Sequence, residues 1–140
     1  MLHYLWVQYA ISGGLWPTLV RAGSMERALR DPRAGEGAMA AVRECLEVVA
    51  RRGVELRDYP ETRPFLDPAP FRSWLRTWAL KLTLRYSEYA KRCSSHGLND
   101  PVEMGVFYDD LVATGRELGV PMPVMNSYAQ DIASFVFRKN

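Results

Sequence analysis

The chain has 140 residues, a length that fits one domain and that can bury a core without a metal ion or a disulfide. Its composition, 48% hydrophobic and 24% charged, is ordinary for a globular protein. The net charge of +2 is too small to indicate nucleic-acid binding, and basic residues alternate with acidic ones. No apolar run approaches the roughly 18 residues that a membrane span needs.

The two cysteines, Cys45 and Cys93, both fall within helical patterns. A disulfide scaffold is not expected at this size and cysteine content, so the sequence predicts two free thiols that fill space. The segment 1–6 has neither the basic flank nor the small-residue cleavage site of a signal peptide. We therefore expect a cytoplasmic protein that binds neither membranes nor nucleic acid.

The hydrophobic pattern predicts an all-α fold of five or six helices with no strand. The first helix is predicted over residues 1–13, ending at Gly13-Gly14, and Pro17 is predicted to restart the chain for a short segment up to Gly23. This first helix is apolar nearly all round, which is typical of a helix that is buried or packed against a partner. Its polar members are His3, Gln8 and Ser12.

Ser24 is a predicted N-cap of a short second helix, which Asp31-Pro32 ends. The third helix is predicted over residues 34–52, with Gly53 as its left-handed cap. Its apolar residues follow the i, i+3, i+4, i+7 spacing of one helical face. They are Ala38, Ala41, Val42, Cys45, Leu46, Val48 and Val49.

Four prolines within residues 54–70 predict a connector, with Val54 and Leu56 as its anchors to the core. A long helix is then predicted over residues 71–93, followed by a polar loop at residues 94–97. One face of this helix is predicted to carry Trp74, Leu75, Trp78, Leu82 and Arg85-Tyr86.

Asp100, Pro101 and Glu103 form a strong helix start, in which Asp100 caps the helix and Glu103 occupies the acidic position of a capping box. Gly119 is predicted to end this helix, and the last helix is predicted from residue 126 or 127 to about 137. The buried stripe of the longer helix is predicted to be Met104, Phe107, Tyr108, Leu111 and Val112.

Generic catalytic and nucleotide-binding motifs are absent from the sequence. It contains neither G-x-G-x-x-G after a strand nor the phosphate-binding G-x-x-x-x-G-K-[ST]. His3 and His96 are far apart and have no neighbours at metal-ligand spacing. Residue types and spacing alone therefore predict a helical domain without a catalytic signal.

The segment Gly115–Asn126, with Glu103 one helix-length upstream, resembles the closing part of the C-terminal domain of ketopantoate reductases (2-dehydropantoate 2-reductases). The resemblance implies that residues 1–140 form one helical domain with the fold of the 6-phosphogluconate dehydrogenase C-terminal domain. It also implies a homodimer, a 2-keto acid substrate, and NADP bound by a Rossmann domain that would normally precede residue 1. This chain would then hold only the substrate side and be inactive alone.

The same resemblance assigns site residues to the first helix. The family has a catalytic lysine there, followed at spacings of four by asparagines, and the matching positions here are Tyr4, Gln8 and Ser12. Tyr4 stands in place of the lysine, or His3 does if the register moves by one. The family lysine protonates the ketone, a general-acid role for which tyrosine, with an ordinary pKa of about 10, needs a tuned environment. Packing in the core is the alternative role for Tyr4.

Glu103 matches the family glutamate that holds the substrate hydroxyl, although a capping box alone also accounts for it. The family serine that binds the substrate carboxylate is assigned to Ser87, with Ser94 as the alternative, and both need a gap. The family aspartate and its Asn-Gly pair are replaced here by Gly105 and Tyr108-Asp109. These departures indicate a divergent branch whose substrate differs from ketopantoate.

Two other functions remain open at this point. The chain could be a non-catalytic interaction or dimerisation module, with Trp6 and Trp16 beside Gly13-Gly14 as an apolar partner surface. It could also be an unrelated helical regulator that binds an apolar ligand between its helices. The oxidoreductase interpretation requires Gln8, Ser12 and Glu103 to converge on one cleft, whereas the other two do not.

Overall fold

The first helix sets the geometry of the chain, because most of its length is in contact with other helices. A computed structural model describes residues 1–66, 75, 78–79, 81–82 and 85–139, and within them the fold is all-α, as predicted. Two short 3-10 turns, Leu56–Asp58 and Pro60–Thr62, precede the fourth helix. The described α-helices are α1 (Leu2–Ala22), α2 (Met25–Arg30), α3 (Pro32–Arg51), α4 (Arg63–Leu66), α5 (Glu88–Asn99), α6 (Pro101–Glu117), α7 (Pro123–Ser127) and α8 (Ala129–Lys139).

Helix α1 is continuous through Gly13-Gly14 and Pro17, so the prediction that it ends at residue 13 is wrong. The glycines serve packing here. A Cβ atom on Gly14 would lie 2.6 Å from the Cα atom of Val42 in α3, and one on Gly13 would overlap the end of the Leu111 side chain in α6. Their missing side chains allow α1 to approach both helices closely. The helix ends at Gly23, whose φ of 82° is the left-handed conformation that glycine adopts at low cost.

The predicted caps of α2 and α3 are confirmed. The Ser24 hydroxyl accepts a hydrogen bond from the Arg27 N–H at 3.2 Å, and the Asp31 carboxylate accepts one from the Arg33 N–H at 2.9 Å. Pro32 does not only end α2 but also occupies the first position of α3, where its missing N–H is not needed. Helix α3 therefore begins two residues before the predicted position, and Gly53 follows it with a φ of 90°.

The connector after α3 contains helical structure that its prolines did not predict. Each proline of residues 60–64 falls in the first turn of a short element, where it is tolerated. The buried Thr62 hydroxyl lies 2.8 Å from both the Leu56 and the Tyr59 carbonyl oxygens, to which it donates. Val54 and Leu56 are buried, as predicted. Residues 67–70 and part of the predicted helix 71–93, including Trp74, lie outside the described residues.

The predicted polar loop at residues 94–97 is wrong, because α5 continues through it to Asn99. The indole N–H of the buried Trp16 donates to the Gly97 carbonyl oxygen at 2.9 Å. Gly97 also lets the indole ring lie close to the α5 backbone. A tertiary contact from α1 therefore stabilises this polar part of α5.

The start and the end of α6 agree with the sequence. The Asp100 carboxylate accepts a hydrogen bond from the Glu103 N–H at 3.1 Å, and Gly119 follows the helix with a φ of 69°. Of the predicted buried stripe, Tyr108 and Leu111 are buried, whereas Met104, Phe107 and Val112 are half-buried. The remaining buried positions of α6 are Pro101, Gly105 and Gly115.

The predicted last helix is two helices, α7 and α8, separated at Tyr128. Glu44 of α3 fixes the start of α7, because its two carboxylate oxygens accept hydrogen bonds from the Val124 and Met125 N–H groups, both at 2.8 Å. A carboxylate at a helix N-terminus satisfies backbone donors that have no partner within the helix. This contact joins α3 to the C-terminal part of the chain.

One cluster of buried side chains draws residues from α1, α3, α4, α6, α7 and α8 and from the segments between them. Helix α3 contributes more of the cluster than any other described helix. Its members there are Met39, Ala41, Val42, Cys45, Leu46, Val48 and Val49.

Gly14→Ala tests the close approach of α1 to α3. Alanine raises intrinsic helix stability by about 1 kcal/mol, but its methyl group would meet the Val42 backbone, which cannot rotate away. Because overpacking costs about 1–3 kcal/mol, we expect Gly14→Ala to lower the free energy of unfolding by about 2 kcal/mol. Urea denaturation followed by circular dichroism measures this change.

Gly13→Ala is the matched control. Its methyl group meets only the end of the flexible Leu111 side chain, so the expected change in unfolding free energy is within about 1 kcal/mol. A Gly14→Ala variant as stable as the parent chain would contradict the packing described for α1 and α3.

Candidate functional site

The residues that the family resemblance assigns to α1 lie on one side of that helix. The side chain of Gln8 is half-buried and donates to the Glu61 carboxylate at 2.9 Å. Ser12 is exposed, and half of Tyr4 is exposed to solvent. The His3 ring lies 5.5 Å from the ring of Trp6. The polar side of α1 therefore contacts the connector through Gln8.

Glu103 lies at the exposed start of α6, where its carboxylate is 3.7 Å from Nε2 of His96 in α5. Its backbone N–H binds the Asp100 carboxylate, so the N-cap half of the predicted capping box is present. The Asp100 N–H donates instead to the His96 carbonyl oxygen. In a complete capping box the Glu103 side chain would accept the Asp100 N–H. Here the last turn of α5 accepts it instead.

Ser87 is half-buried and directly precedes α5, and its carbonyl oxygen accepts a hydrogen bond from the Lys91 N–H at 3.0 Å. Among the described residues, no hydrogen bond or ion pair joins Gln8, Ser12 and Glu103 to one another. Gln8 contacts Glu61 instead, and Glu103 contacts His96. Their assignment to one substrate site stays a prediction.

The buried titratable groups lie between α1, α3 and α6. Burial, followed by the charge of Glu44, raises the pKa of the Cys45 thiol to about 12. Burial, followed by the charge of Asp109, raises the pKa of Tyr108 to about 12, and its hydroxyl donates to the Met125 carbonyl oxygen at 2.5 Å. Burial also raises the pKa of Tyr9, with a further contribution from Asp110. These groups are held neutral at physiological pH, so none of them is an activated nucleophile or base.

Metal-ligand groups and membrane-spanning helices are the next two features of the described residues. In the described ranges, no group of three or more His, Cys, Asp or Glu side chains is placed to hold a metal ion. Nor does any helix there combine the length and apolar character that crossing a bilayer requires.

The most unusual surface of the described chain lies just before α5. Four large apolar side chains recur at spacings of three, four and four along helical residues, and each is 42 to 72% exposed. This spacing is that of one helical face, although no signal in the sequence indicates that the face points outward. We name this set the outer stripe: Leu75, Trp78, Leu82 and Tyr86.

The outer stripe lies within a basic segment. Residues 71–93 contain six Lys or Arg and one Glu, a net charge of +5, whereas the other residues contain 12 Lys or Arg and 15 Asp or Glu. The expectation that basic and acidic residues alternate throughout is therefore wrong for this segment. The near-neutral total charge hides the difference, which a count by segment reveals.

The predicted partner surface at Trp6 and Trp16 is wrong for Trp16, which is buried in the core. Trp6 is half-buried, and the Arg52 guanidinium lies 4.9 Å from the centre of its ring. The exposed aromatic side chain of greatest size in the described residues is instead Trp78. The sequence therefore predicted an exposed Trp16 that is buried in the structure, whereas Trp78 of the outer stripe is exposed.

Comparison with protein-family models, curated proteins and solved structures finds no match to the chain. What the fold defines is a class of protein, an all-α helical bundle. A function for the chain is inferred from its helix arrangement and its exposed surface.

The raised pKa values predict how stability depends on pH. Below about pH 8 both the folded and the unfolded chain keep these three groups protonated. Above that, the unfolded chain releases protons first, from Cys45 near 9 and from the tyrosines near 10, so the free energy of unfolding falls as pH rises toward 12.

Urea denaturation of the parent chain and of Tyr108→Phe at pH 8 and pH 10.5 measures this loss. Tyr108→Phe costs about 1 kcal/mol at pH 8 because its hydrogen bond is removed, but its further loss at pH 10.5 should be smaller than that of the parent. An equal further loss in both proteins would show that Tyr108 does not contribute.

Proposed function

We propose that the chain is a non-catalytic helical interaction domain, and that it binds an acidic, partly apolar protein surface through the outer stripe. The observation that carries this proposal is the exposure of Leu75, Trp78, Leu82 and Tyr86 on one helical face. A contiguous exposed apolar patch typically marks a partner site. Tryptophan, tyrosine and arginine are also the residues that contribute most to binding at protein interfaces.

Charge supports the choice of partner. A net charge of +5 on residues 71–93 attracts an acidic surface and accelerates association with it. If the outer stripe of one copy packed against that of a second copy, two segments of net charge +5 would lie together and repel each other. The homodimer predicted from the family resemblance therefore stays a prediction, and the charge favours a different partner.

A cytoplasmic location belongs to the same proposal. Cys45 is a free, buried thiol in the structure. Free thiols are usual in a reducing compartment.

The oxidoreductase interpretation is the second candidate, and it also stays a prediction. In it, Tyr4, Gln8, Ser12, Ser87 and Glu103 would line the substrate side of a 2-keto acid site completed by an NADP-binding Rossmann domain. The half-exposed Tyr4 and the exposed Ser12 and Glu103 would be available for such a contact. The hydrogen bond between Gln8 and Glu61 counts against it, because Gln8 already has a partner.

We expect the purified chain to leave NADPH unconsumed with 2-keto acids, because its described residues form only helices, whereas the family binds NADP in a Rossmann domain. The absorbance of NADPH measures this, with and without a separately produced ketopantoate reductase Rossmann domain. Consumption of NADPH that requires both proteins and is lost in Glu103→Gln would support the oxidoreductase interpretation and overturn the proposal.

The interaction itself is tested with two synthetic helical peptides built on leucine heptads, one flanked by glutamate and the other by lysine. Fluorescence anisotropy should show that the glutamate peptide binds at least about tenfold tighter than the lysine peptide. Its affinity should fall when salt rises from about 0.1 M to about 1 M, since the Debye length shortens from about 10 Å to 3 Å.

Trp78→Ser and Leu82→Ser should each weaken binding of the glutamate peptide about tenfold. Val106→Ser is the matched control, because Val106 is an exposed apolar residue of α6 outside the outer stripe. Equal binding of both peptides, or parental affinity in both stripe variants, would refute the proposed interface.

A further inference from the structure

A second feature lies between the first three helices and Lys81, a residue of the basic segment. We define the cleft as the hollow walled by Leu15 and Leu19 of α1, Leu29 of α2 and Ala34 and Ala38 of α3, with Lys81 at its rim. Its volume is about 70 Å³. Since one water molecule needs only roughly 10–15 Å³ of such space, the cleft has room for a short chain of several carbon atoms.

The wall of the cleft is apolar. Of its described lining residues, only Thr18 and Lys81 carry polar side-chain atoms. The Thr18 hydroxyl is buried and shares a hydrogen bond with the Tyr128 hydroxyl at 3.1 Å. The interior therefore suits an alkyl chain, which requires no hydrogen bond there.

The rim of the cleft is basic. The Lys81 ammonium donates to the Asp31 carbonyl oxygen at 3.1 Å, and an ammonium group has three donors in all. A larger hollow of about 400 Å³ adjoins the cleft and shares Met25 and Leu29 with it. We call this second hollow the mouth, and its charged residues are Glu26, Arg30, Arg85 and Lys91.

The charges of the mouth are partly paired. Arg30 binds the Glu26 carboxylate at 2.6 Å, and Lys91 binds that of Glu88 at 2.9 Å. Arg85 lies 5.9 Å from the centre of the Tyr86 ring. Lys81, Arg30, Arg85 and Lys91 are thus four cations around the two hollows. Two of them are paired with carboxylates, so an anion is favoured beside the other two.

From this arrangement we propose that the cleft and the mouth form one binding site for a single-chain anionic amphiphile, a free alkyl carboxylate. The alkyl chain enters the cleft, and the carboxylate lies beside Lys81, where the cleft adjoins the mouth. The walls of the cleft come from three helices, so one alkyl chain taken from solution fits it better than a lipid that stays in a bilayer. This site is separate from the outer stripe and does not depend on the interaction proposed for it.

Isothermal titration calorimetry of the full chain with hexanoate, octanoate and decanoate, below their micellar concentrations, tests the site. Each added methylene that enters the cleft should tighten binding roughly three- to fourfold. Decanoate should bind about tenfold tighter than decanol, because only the carboxylate forms a charge-assisted hydrogen bond. Decyltrimethylammonium should bind more weakly than either.

Two variants locate the ligand. Lys81→Gln should weaken decanoate binding about tenfold and leave decanol binding unchanged. Ala34→Leu, which fills the cleft, should weaken both ligands. The controls are Arg138→Gln, which removes a remote cation on α8, and Ala129→Leu, which enlarges an exposed residue of the same helix. Circular dichroism melting confirms that each variant is folded.

Three results would overturn the site. The first is decanoate binding that is unchanged in both Lys81→Gln and Ala34→Leu, and the second is an affinity independent of chain length. The third comes from vesicles of phosphatidylcholine and phosphatidylglycerol. Binding to these vesicles without binding of free decanoate would assign the basic segment to a membrane surface instead.

Discussion

The contact of α1 with α3 at Gly14 and Val42 is the constraint on which the rest of the structure depends. The two helices approach so closely that even a methyl group on Gly14 would meet the Val42 backbone. Because packing of this kind fixes both the separation and the rotation of two helices, it also places Gly13 against Leu111 of α6 and Trp16 against Gly97 of α5. Helix α1 thereby sets the positions of three other helices.

Helix α3 in turn fixes the position of the C-terminal helices. Its Glu44 carboxylate caps α7, whose Met125 carbonyl oxygen accepts the hydrogen bond of Tyr108 in α6. Arg21 of α1 closes the same region from the other side, since it binds the Asp131 carboxylate at 2.9 Å and lies over the ring of Tyr128. Polar contacts thus join the C-terminal helices α7 and α8 to α3 and α1.

Local signals predicted local structure well. The helical class, the caps at Ser24 and Asp100 and the glycine ends at Gly53 and Gly119 depend on neighbours in sequence, and the structure confirms them. Gly13-Gly14 was mistaken for a helix end because the residue that needs its missing Cβ, Val42, is distant in sequence. Likewise, periodicity predicted the face shared by Leu75, Trp78 and Leu82, but periodicity does not determine whether a face points inward or outward. The substrate-site assignments came only from the family resemblance and stay predictions.

In the proposed function, binding takes place at one surface, an apolar stripe that is exposed in the isolated chain and covered by a partner. Hydroxyl-radical footprinting of Trp78, in the purified chain and in living cells, tests this most directly. Phe137 is the internal reference, because it is exposed and lies outside the outer stripe. The account predicts that Trp78 is oxidised readily in the purified chain and protected in cells, while oxidation of Phe137 is unchanged. Equal oxidation of Trp78 in both settings, or protection already present in the purified chain, would contradict it.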